Sequence, residues 1–562
     1  MTNREVARIL EAIADILQIK NDNPFKIKAY RNAAEAVCHL QEDLLPLYRD
    51  GRLRDIPGVG KSVQAGIIEI LEKGSMSYYD RLLEEIPSGV LDMLAIPGLG
   101  HKTINLLHTS LGISSLPDLE QAAREHRIRQ LPGMGAKSED NIIKGLELLR
   151  QGANKATLGL ARPLALEFLQ YMERTGVVQK AALVGSIRRG KSLVGDVDIL
   201  VCADDLERLH NVIETYPGLK KIDECTSTNI KGRLRWELPF EIIRVASDEF
   251  AAAQFWTTGS KAFRKAVLPG GNLQPFRGLS DEAELFGKMG MQYIPPEMRE
   301  NQGEIEMARR RELPRLVETS DIKGDLHVHS SWSDGGGGMA EMAQAARGMG
   351  YVYLAMTDHS QSLSISRGLS EERLQAQGAS LEAINSQFKD FTILRGTEVD
   401  ILKDGRLDYH DEVLKNLEVV IASIHSHFKL DREAQTRRII AAIEHPLVNI
   451  IGHLTGRLLG RRPGYEVDVD RILEACAINQ VALEINAHPD RLDIDEGTAR
   501  QAARLGVKMA VNSDAHDVND LQLLEYGIIN ARRGWLTKND IINCWEIDRL
   551  RSFFKKDGGS CI

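Results

Sequence analysis

Gly324-Asp-Leu-His-Val-His-Ser330 is a short apolar run ending in two imidazoles. Six runs of the same kind follow it: YVYLAMTDH (351–359), FTILRGTEVDI (391–401), VVIASIHSHF (419–428), VNIIGHL (448–454), VALEINAH (481–488) and VKMAVNSDAH (507–516). Segments 338–350, 370–388, 432–445 and 497–505 lie between them and read as amphipathic helices. This alternation predicts a parallel sheet with crossover helices, and the seven repeats predict closure into a barrel.

A β/α barrel carries its chemistry on the rim at the C-terminal ends of its strands. There stand His327, His329, Asp334, His359, Glu398, His425, His453, Asp514 and His516. One histidine beside a strand is ordinarily a packing residue, and one Asp after a strand is ordinarily a helix cap. Imidazole at five successive strand ends does not arise that way. His327 and His329 flank one residue and share a strand face, as do Asp514 and His516. Nine N/O ligands without a thiolate exceed the needs of one ion and suit two or three divalent cations such as Mn2+, Zn2+ or Fe2+. The reaction class this implies is metal-assisted phosphoester hydrolysis. His410, His427 and His488 fall outside the pattern and are read as supporting or structural. Arg457 and Arg462 either meet phosphates or form a solvated basic loop.

The chain of 562 residues carries 71 basic and 80 acidic side chains, and 43% of it is hydrophobic. These figures exclude a disordered or fibrous chain and predict three or four domains. Residues 1–150 hold 19 basic and 21 acidic side chains, 151–319 hold 24 and 23, and 320–562 hold 28 and 36. The acidic excess thus lies where carboxylates are wanted for metals. Six scattered Cys with no CxxC pair point to a reducing, cytoplasmic setting. No run of 18 apolar residues occurs and the first residues lack an uninterrupted apolar stretch, so neither secretion nor a membrane partner is expected.

Residues 1–150 read as helical throughout, starting with Val6, Ile9, Leu10, Ile13 and Ile16 at helical spacing. One phrase recurs three times: Ile56-Pro-Gly-Val-Gly60, Ile96-Pro-Gly-Leu-Gly100 and Leu131-Pro-Gly-Met-Gly135, each followed by Lys within two residues. A tight turn of this kind leaves backbone N–H groups uncovered at a helix start, so a phosphate oxygen approaches without meeting a Cβ. It grips a nucleic-acid backbone and reads no sequence. The candidate DNA-binding residues are Gly58, Gly60, Lys61, Gly98, Gly100, Lys102, Gly133, Gly135 and Lys137. The repeats resemble the helix-hairpin-helix motifs of DNA repair proteins.

From 151 to 300 short β-like runs appear at 181–184, 197–202 and 240–245. The phrase LVGSIRRGKSLVGDVDIL (183–200) places Asp196 and Asp198 at i, i+2 on one strand face, where they can hold two Mg2+ or Mn2+ ions. Gly185-Ser186 opens a turn that can donate to phosphate, and Arg189 supplies charge. The stretch from Ile294 to Leu316 mixes Pro with dense charge and reads as an inter-domain connection.

Two resemblances follow from these residues. HxH with a following SDG, TDH, a Glu after the third strand and NSDAH resemble the PHP (polymerase and histidinol phosphatase) domain, which implies a three-metal site on the nine residues named. GS-x-RRG followed by GDVD resembles the palm of family X DNA polymerases in the nucleotidyltransferase superfamily. That implies metal on Asp196 and Asp198 and an incoming deoxynucleoside triphosphate on Gly185, Ser186, Arg189 and Gly195. FWTTGS (255–260) is similar to the family's nucleotide-pocket turn, bringing in Gly259 and Ser260. In order of parts the chain resembles the bacterial PolX family, a repair polymerase joined to a 3′–5′ exonuclease.

The expected organisation is multi-domain, α+β and α/β. A helical DNA-binding domain over 1–85 carries the first hairpin, and a helical domain over 86–155 carries two more. A nucleotidyltransferase palm covers 156–300, a linker 301–320 and a PHP (β/α)7-type barrel 321–562. The expected partners are deoxynucleoside triphosphates and gapped, nicked or 3′-damaged DNA, bound by a monomer. Three departures from the family pattern matter. The third palm carboxylate is Glu241, unless register places Ile242 there, and either option is expected to weaken deprotonation of the primer hydroxyl. Trp256-Thr257 and Arg264 alter the sugar and base pocket. Gly66 stands at the expected lyase Lys, so Schiff-base chemistry is not expected. The alternative reading is a DNA-bound PHP nuclease or phosphatase on a non-catalytic palm scaffold.

Overall fold

The computed structural model describes residues 3–38, 40, 43–56, 58–96, 99–136, 138–140, 142–143, 145–146 and 155–555. The chain divides into two compact units, one comprising 1–153 and 460–462 and the other 154–459 and 463–562.

The first unit is helical among its described residues. Helices α1 (Asn3–Ile19) and α2 (Pro24–Cys38) pair closely. Val6, Leu10, Ile13 and Leu17 recur every three or four residues and are buried on one face of α1. The three repeated phrases close as the same turn. Val59 N donates to Ile56 O at 3.1 Å, Leu99 N to Ile96 O at 3.1 Å and Met134 N to Leu131 O at 3.0 Å. Helix α3 (Lys61–Lys73) follows the first turn and α4 (His101–Leu111) the second. Ile56, Val59, Ile96 and Leu99 are buried and Leu131 and Met134 partly so, which pins the phrases by their apolar positions, while Gly60, Gly100, Gly133 and Gly135 border open space.

The second unit contains a short antiparallel pair, Ala156–Thr157 with Leu193–Val194, and two larger sheets. Helix α5 (Leu158–Arg174) packs on a five-stranded sheet of β1 (Lys180–Leu183), β2 (Val197–Cys202), β3 (Leu219–Cys225), β4 (Asn229–Leu234) and β5 (Pro239–Val245). The order is β1-β2-β5-β4-β3, with β2 and β5 parallel and the other pairs antiparallel. Phe168 from α5 stacks on Tyr216 and meets Phe240 of β5 edge-on, which seats the helix. A four-residue turn, α6 (Gly185–Arg188), connects the end of β1 toward β2. Helices α7 (Phe250–Thr258) and α8 (Lys261–Val267) follow the sheet.

The stretch read as an inter-domain connection, with 301–320 as its linker, is instead packed. Helix α9 (Glu304–Arg310) buries Ile305 and Ala308, and Ile294, Met298 and Leu316 join Phe255, Phe263 and Phe286 in one apolar cluster. Its charges are matched from afar: Arg299, fully buried, donates to Glu282. Local composition carries no sign of that partner.

The second sheet is the predicted barrel. Its strands are β6 (Gly324–Val328), β7 (Tyr353–Met356), β8 (Thr392–Asp400), β9 (Val419–Ser423), β10 (Ile450–Ile451), β11 (Ala482–Asn486) and β12 (Met509–Asn512). They pair in parallel and in chain order, each with the next. A parallel bridge between Val328, the last residue of β6, and Ala515, just past β12, with His329 N donating to Ala515 O at 2.8 Å, brings the two edges together. Crossover helices α10 (Met339–Gly348), α11 (Glu371–Asn385), α12 (Arg432–Ile443), α13 (Val469–Asn479) and α14 (Glu496–Arg504) link the strands, and α15 (Leu524–Arg533) follows the last of them. Leu326, Tyr353, Leu394, Ile421, Ile450, Ala482 and Ala510 form a separate apolar cluster with Trp545, Leu550 and Phe554. No helix among the described residues is long and apolar enough to cross a membrane.

Candidate active sites

The nine predicted rim residues converge. Glu398, on β8 and fully buried, is the hub: its oxygens lie 2.7 Å from His359 Nδ1, 3.0 Å from His453 Nε2, 3.3 Å from His425 Nε2 and 3.4 Å from His327 Nε2. Asp334 lies between His359 and His516, 3.4 Å from the Nε2 of each. Asp514 faces His329 at 3.2 Å and His327 at 3.5 Å. Three sets of donor atoms each fall within 4.8 Å: His329, Asp334, His359 and His516; His327, His329 and Asp514; His359, Glu398 and His425.

Two carboxylates absent from the sequence reading orient these ligands. Glu484, on β11 and fully buried, accepts from His327 Nδ1 at 2.7 Å, His453 N at 2.7 Å and Asn512 Nδ2 at 2.9 Å. Asp400, two residues after Glu398 on β8, accepts from His425 Nδ1 at 2.9 Å. Each fixes one tautomer and turns Nε2 toward Glu398. The signal for Glu484 is its charge inside an otherwise apolar run; for Asp400 it is the i, i+2 spacing from Glu398.

Burial would raise the carboxyls of Glu398 and Asp514, but the surrounding imidazoles outweigh it and hold both well below the usual range. Burial would likewise lower His359, His425 and His516, but facing carboxylates raise them to about 10, 9 and 9. His329 goes the other way, to about 3, through burial and the positive rings of His516 and His359. The donor set fits divalent cations. His327 Nε2, His329 Nδ1, His359 Nδ1, His453 Nδ1 and Glu398 Oε2 are buried with no well-aligned hydrogen bond, even where an ion-pair partner is close, and several of these atoms crowd the three donor sets. An interior of such N and O donors with no thiolate suits Mn2+, Zn2+ or Fe2+.

In the palm the parallel register opposes Asp198 on β2 to Glu241 on β5, while Ile242 is fully buried opposite Ile199. Glu241, not Ile242, is therefore the residue that stands opposite Asp198. Burial and the neighbouring charges of Asp196 and Glu241 raise Asp198 to about 7. Asp196 is raised as well, by burial and Glu241. Such mutual repulsion marks a place that a cation would relieve. Gly185 has φ +64, and a Cβ there would lie 1.7 Å from Asp198 Oδ2, so the turn can approach this carboxylate only as glycine. Ser186 Oγ is buried with no hydrogen-bond partner. Gly195 borders open space, and Ser260 Oγ caps α8 by accepting from Phe263 N at 3.1 Å. A Cβ on Gly259 would collide with Phe263. Arg189 donates through Nη1 to Thr258 O at 2.8 Å and through Nε to Glu300 at 3.0 Å, and its charge is felt at Asp198. Arg264 lies over the Trp256 ring at 5.3 Å, and its charge also reaches Asp198. Glu241 accepts from Asn229 Nδ2 and faces Lys231 Nζ at 3.6 Å, so it is already held from its own sheet.

In the helical unit Gly60 and Gly100 stand immediately before α3 and α4, and Lys61 and Lys102 open those helices exposed to solvent. Open space surrounds Gly60, Gly100, Gly133 and Gly135, and Gly58 rests against Asn32. Gly98 and Lys137 lie outside the described residues. At Gly66 a Cβ would meet the Met76 methyl at 2.4 Å, so Met76 fills the room a Lys side chain would need.

Comparison with known proteins bears on the helical regions, on most of the barrel and on the chain as a whole. Residues 1–76 match the helix-hairpin-helix domain, residues 90–147 the SAM-like helix-hairpin-helix tandem and residues 325–488 the PHP domain. A probable phosphatase of Thermoanaerobacter sp. (strain X514) is 29% identical over 243 residues, 41% of this chain and 94% of that protein. A probable phosphatase of Shewanella amazonensis is 36% identical over 138 residues, 23% of this chain and 53% of that protein. The DNA polymerase/3′-5′ exonuclease PolX of Bacillus subtilis (strain 168) is 33% identical over 577 aligned positions, which take in 99% of this chain and all of that protein. With the helical hairpins, the middle sheet and the metal-binding barrel in one chain, and a relative that matches from end to end, the chain belongs to the PolX family.

Proposed function

We propose that this chain processes DNA 3′ ends with two chemistries. The palm adds deoxynucleotides at gaps or nicks, and the barrel removes them from damaged 3′ ends. The helical regions 1–85 and 86–155 grip the DNA backbone, 156–300 forms the palm and 321–562 the nuclease. The protein acts as a monomer in the cytoplasm. The observation that supports this most is the convergence of nine residues on one rim in a chain that also sets Asp198 opposite Glu241 on paired strands, with Asp196 just before the first of them.

Divalent cations, Mg2+ or Mn2+ in the palm and two or three Mn2+, Zn2+ or Fe2+ in the barrel, would supply positive charge to phosphate oxygens and lower the pKa of the attacking hydroxyl or water. His327, His329, Asp334, His359, Glu398, His425, His453, Asp514 and His516 would hold those of the barrel. Asp196, Asp198 and Glu241 would hold those of the palm. The remaining steps belong to the chain's own residues. The N–H and hydroxyl groups of the Gly185-Ser186 turn, with Arg189, donate to the triphosphate. Gly195, Gly259 and Ser260 shape the nucleotide pocket, and Trp256 and Arg264 bound it. Glu484 and Asp400 keep the imidazoles aimed. Lys231 and Asn229 draw Glu241 toward its own sheet, which weakens its pull on the primer hydroxyl.

A second reading, a barrel nuclease or phosphatase on an inert palm, draws on the barrel-only likeness to probable phosphatases and on this engagement of Glu241. A gapped duplex separates the two. Wild-type protein with Mg2+ or Mn2+ is expected to fill the gap when nucleotides are present and to shorten the 3′ end when they are absent. Shortening without filling would leave only the second reading, and release of phosphate from small monoesters with no attack on DNA would remove the nuclease.

A further inference from the structure

The turn that carries Arg189 does not end in solvent. Arg533, on α15 of the barrel and 3% exposed, donates through Nη1 to the main-chain oxygen of Arg189 at 2.7 Å and reaches Glu300 at 3.3 Å. Its Nε and Nη2 donate to Glu496, the first residue of α14, at 3.3 and 2.7 Å. Glu300 also accepts from Arg189 Nε at 3.0 Å, and Lys191 Nζ lies 3.3 Å from Glu300 and 3.7 Å from Glu496. Between Arg189 and Lys191, Gly190 has φ +66, and a Cβ there would lie 2.1 Å from Ile529 Cγ2. Helix α15 is thus seated against the turn with no room for a side chain.

Three cations share two carboxylates in this cluster. Burial would raise Glu300 and Glu496, yet the cations hold both below the usual range, so both are ionised at neutral pH. One positive charge is left over in the cluster, which borders the turn whose other end packs against Asp198. Without Arg533 the two carboxylates would be matched by Arg189 and Lys191 alone, so the surplus positive charge would be gone and both cations of the turn would be held as counter-charges in a partly buried space. Arg189 would be drawn toward them and away from the nucleotide.

We propose that Arg533 of the barrel is a positioning residue for the palm: with Glu300 and Glu496 it sets the Ser186–Arg189 turn in its nucleotide-binding geometry. Nucleotide affinity at one site therefore depends on a side chain from the domain that houses the other. This rests on the reading of the palm as a nucleotide site.

The test is Arg533→Ala in the full chain, with KM and kcat for gap filling, Kd for a fluorescent deoxynucleoside triphosphate and the exonuclease rate measured on the same preparation. Nucleotide KM and Kd are expected to rise about tenfold, with kcat for filling and the exonuclease rate within about twofold of wild type. Arg533→Lys should recover part of the affinity. Arg533→Ala and Arg189→Ala should be non-additive when combined. Unchanged nucleotide KM and Kd in Arg533→Ala would overturn the proposal. So would parallel loss of both activities in Arg533→Ala together with wild-type nucleotide affinity in the milder Glu496→Gln, for which about a threefold loss is expected. If wild-type protein neither fills gaps nor binds the nucleotide, the palm reading fails and takes this proposal with it. If it does both and the variants match it, only the coupling fails.

Discussion

In the barrel each carboxylate of the site faces imidazoles, whereas in the palm three carboxylates face one another. Glu398 alone meets four rings within 3.4 Å, while Asp198 meets Asp196 and Glu241 and is pushed up to about 7. The two arrangements respond differently to the loss of cations. Alternating acids and imidazoles neutralise one another, and buried partners such as Glu484 and Asp400 keep them aimed, so the barrel site is pre-organised. The palm carboxylates repel until something positive arrives. A site of the first kind holds its metals through purification, and one of the second takes them from the buffer with its substrate.

The largest expected contrast is therefore in metal retention. Protein dialysed without chelator should keep two or three transition metal ions by elemental analysis and continue to shorten 3′ ends, while gap filling falls to background until Mg2+ or Mn2+ is added. A loss of both activities together would erase the distinction. Next in size is Glu484→Gln, which keeps the shape but weakens the hold on His327 Nδ1 and His453 N. Metal affinity and exonuclease rate should each fall about 10- to 100-fold, with gap filling unchanged.

A smaller effect separates the sites by pH. In cation-free protein the Asp198 carboxyl is raised from its ordinary value near 4 to about 7. Folding then favours the protonated form, so the stability this carboxyl allows is complete below pH ~4 and declines as pH rises toward 7. Asp198→Asn removes that loss. In chelator, the Tm advantage of the variant over wild type should be near zero at pH 4, grow to a few degrees by pH 8, and vanish when Mg2+ is added. A pH-independent gap would mean that Asp198 is not under this repulsion. The smallest effect belongs to the hairpins. Lys61→Ala and Lys102→Ala should each weaken duplex binding modestly and lower the slope of log Kd against log salt by about 0.9, acting on both activities alike.

How far each region could be read from sequence follows the same physics. The barrel ligands were legible because strand ends repeat, and each repeat places a polar residue where apolar texture stops. His327 and His329 announce themselves by spacing alone. Glu484 and Asp400 were not legible as partners, since a carboxylate within a strand gains its meaning from an imidazole on a different strand. The hairpin Leu219–Cys225 and Asn229–Leu234 was missed because KKIDEC and NIKGRL are half-exposed and charged, with little apolar alternation to find. Residues 294–316 misled for the opposite reason: their charges look solvated until Arg299 finds Glu282 and Arg189 finds Glu300, partners 17 and 111 residues away. Whether Glu241 or Ile242 faced Asp198 turned on a one-residue register, which only the paired strand fixes.

The most direct test of two separate chemistries in one chain is a paired measurement with Asp198→Asn and Glu398→Gln on one labelled gapped duplex. Asp198→Asn should lose gap filling by about a thousandfold and keep wild-type 3′ shortening; Glu398→Gln should do the reverse, each by loss of several kcal/mol of charge stabilisation. If either substitution abolishes both activities in folded protein, or if 3′ shortening survives the loss of Glu398, the assignment of separate chemistries to palm and barrel is contradicted.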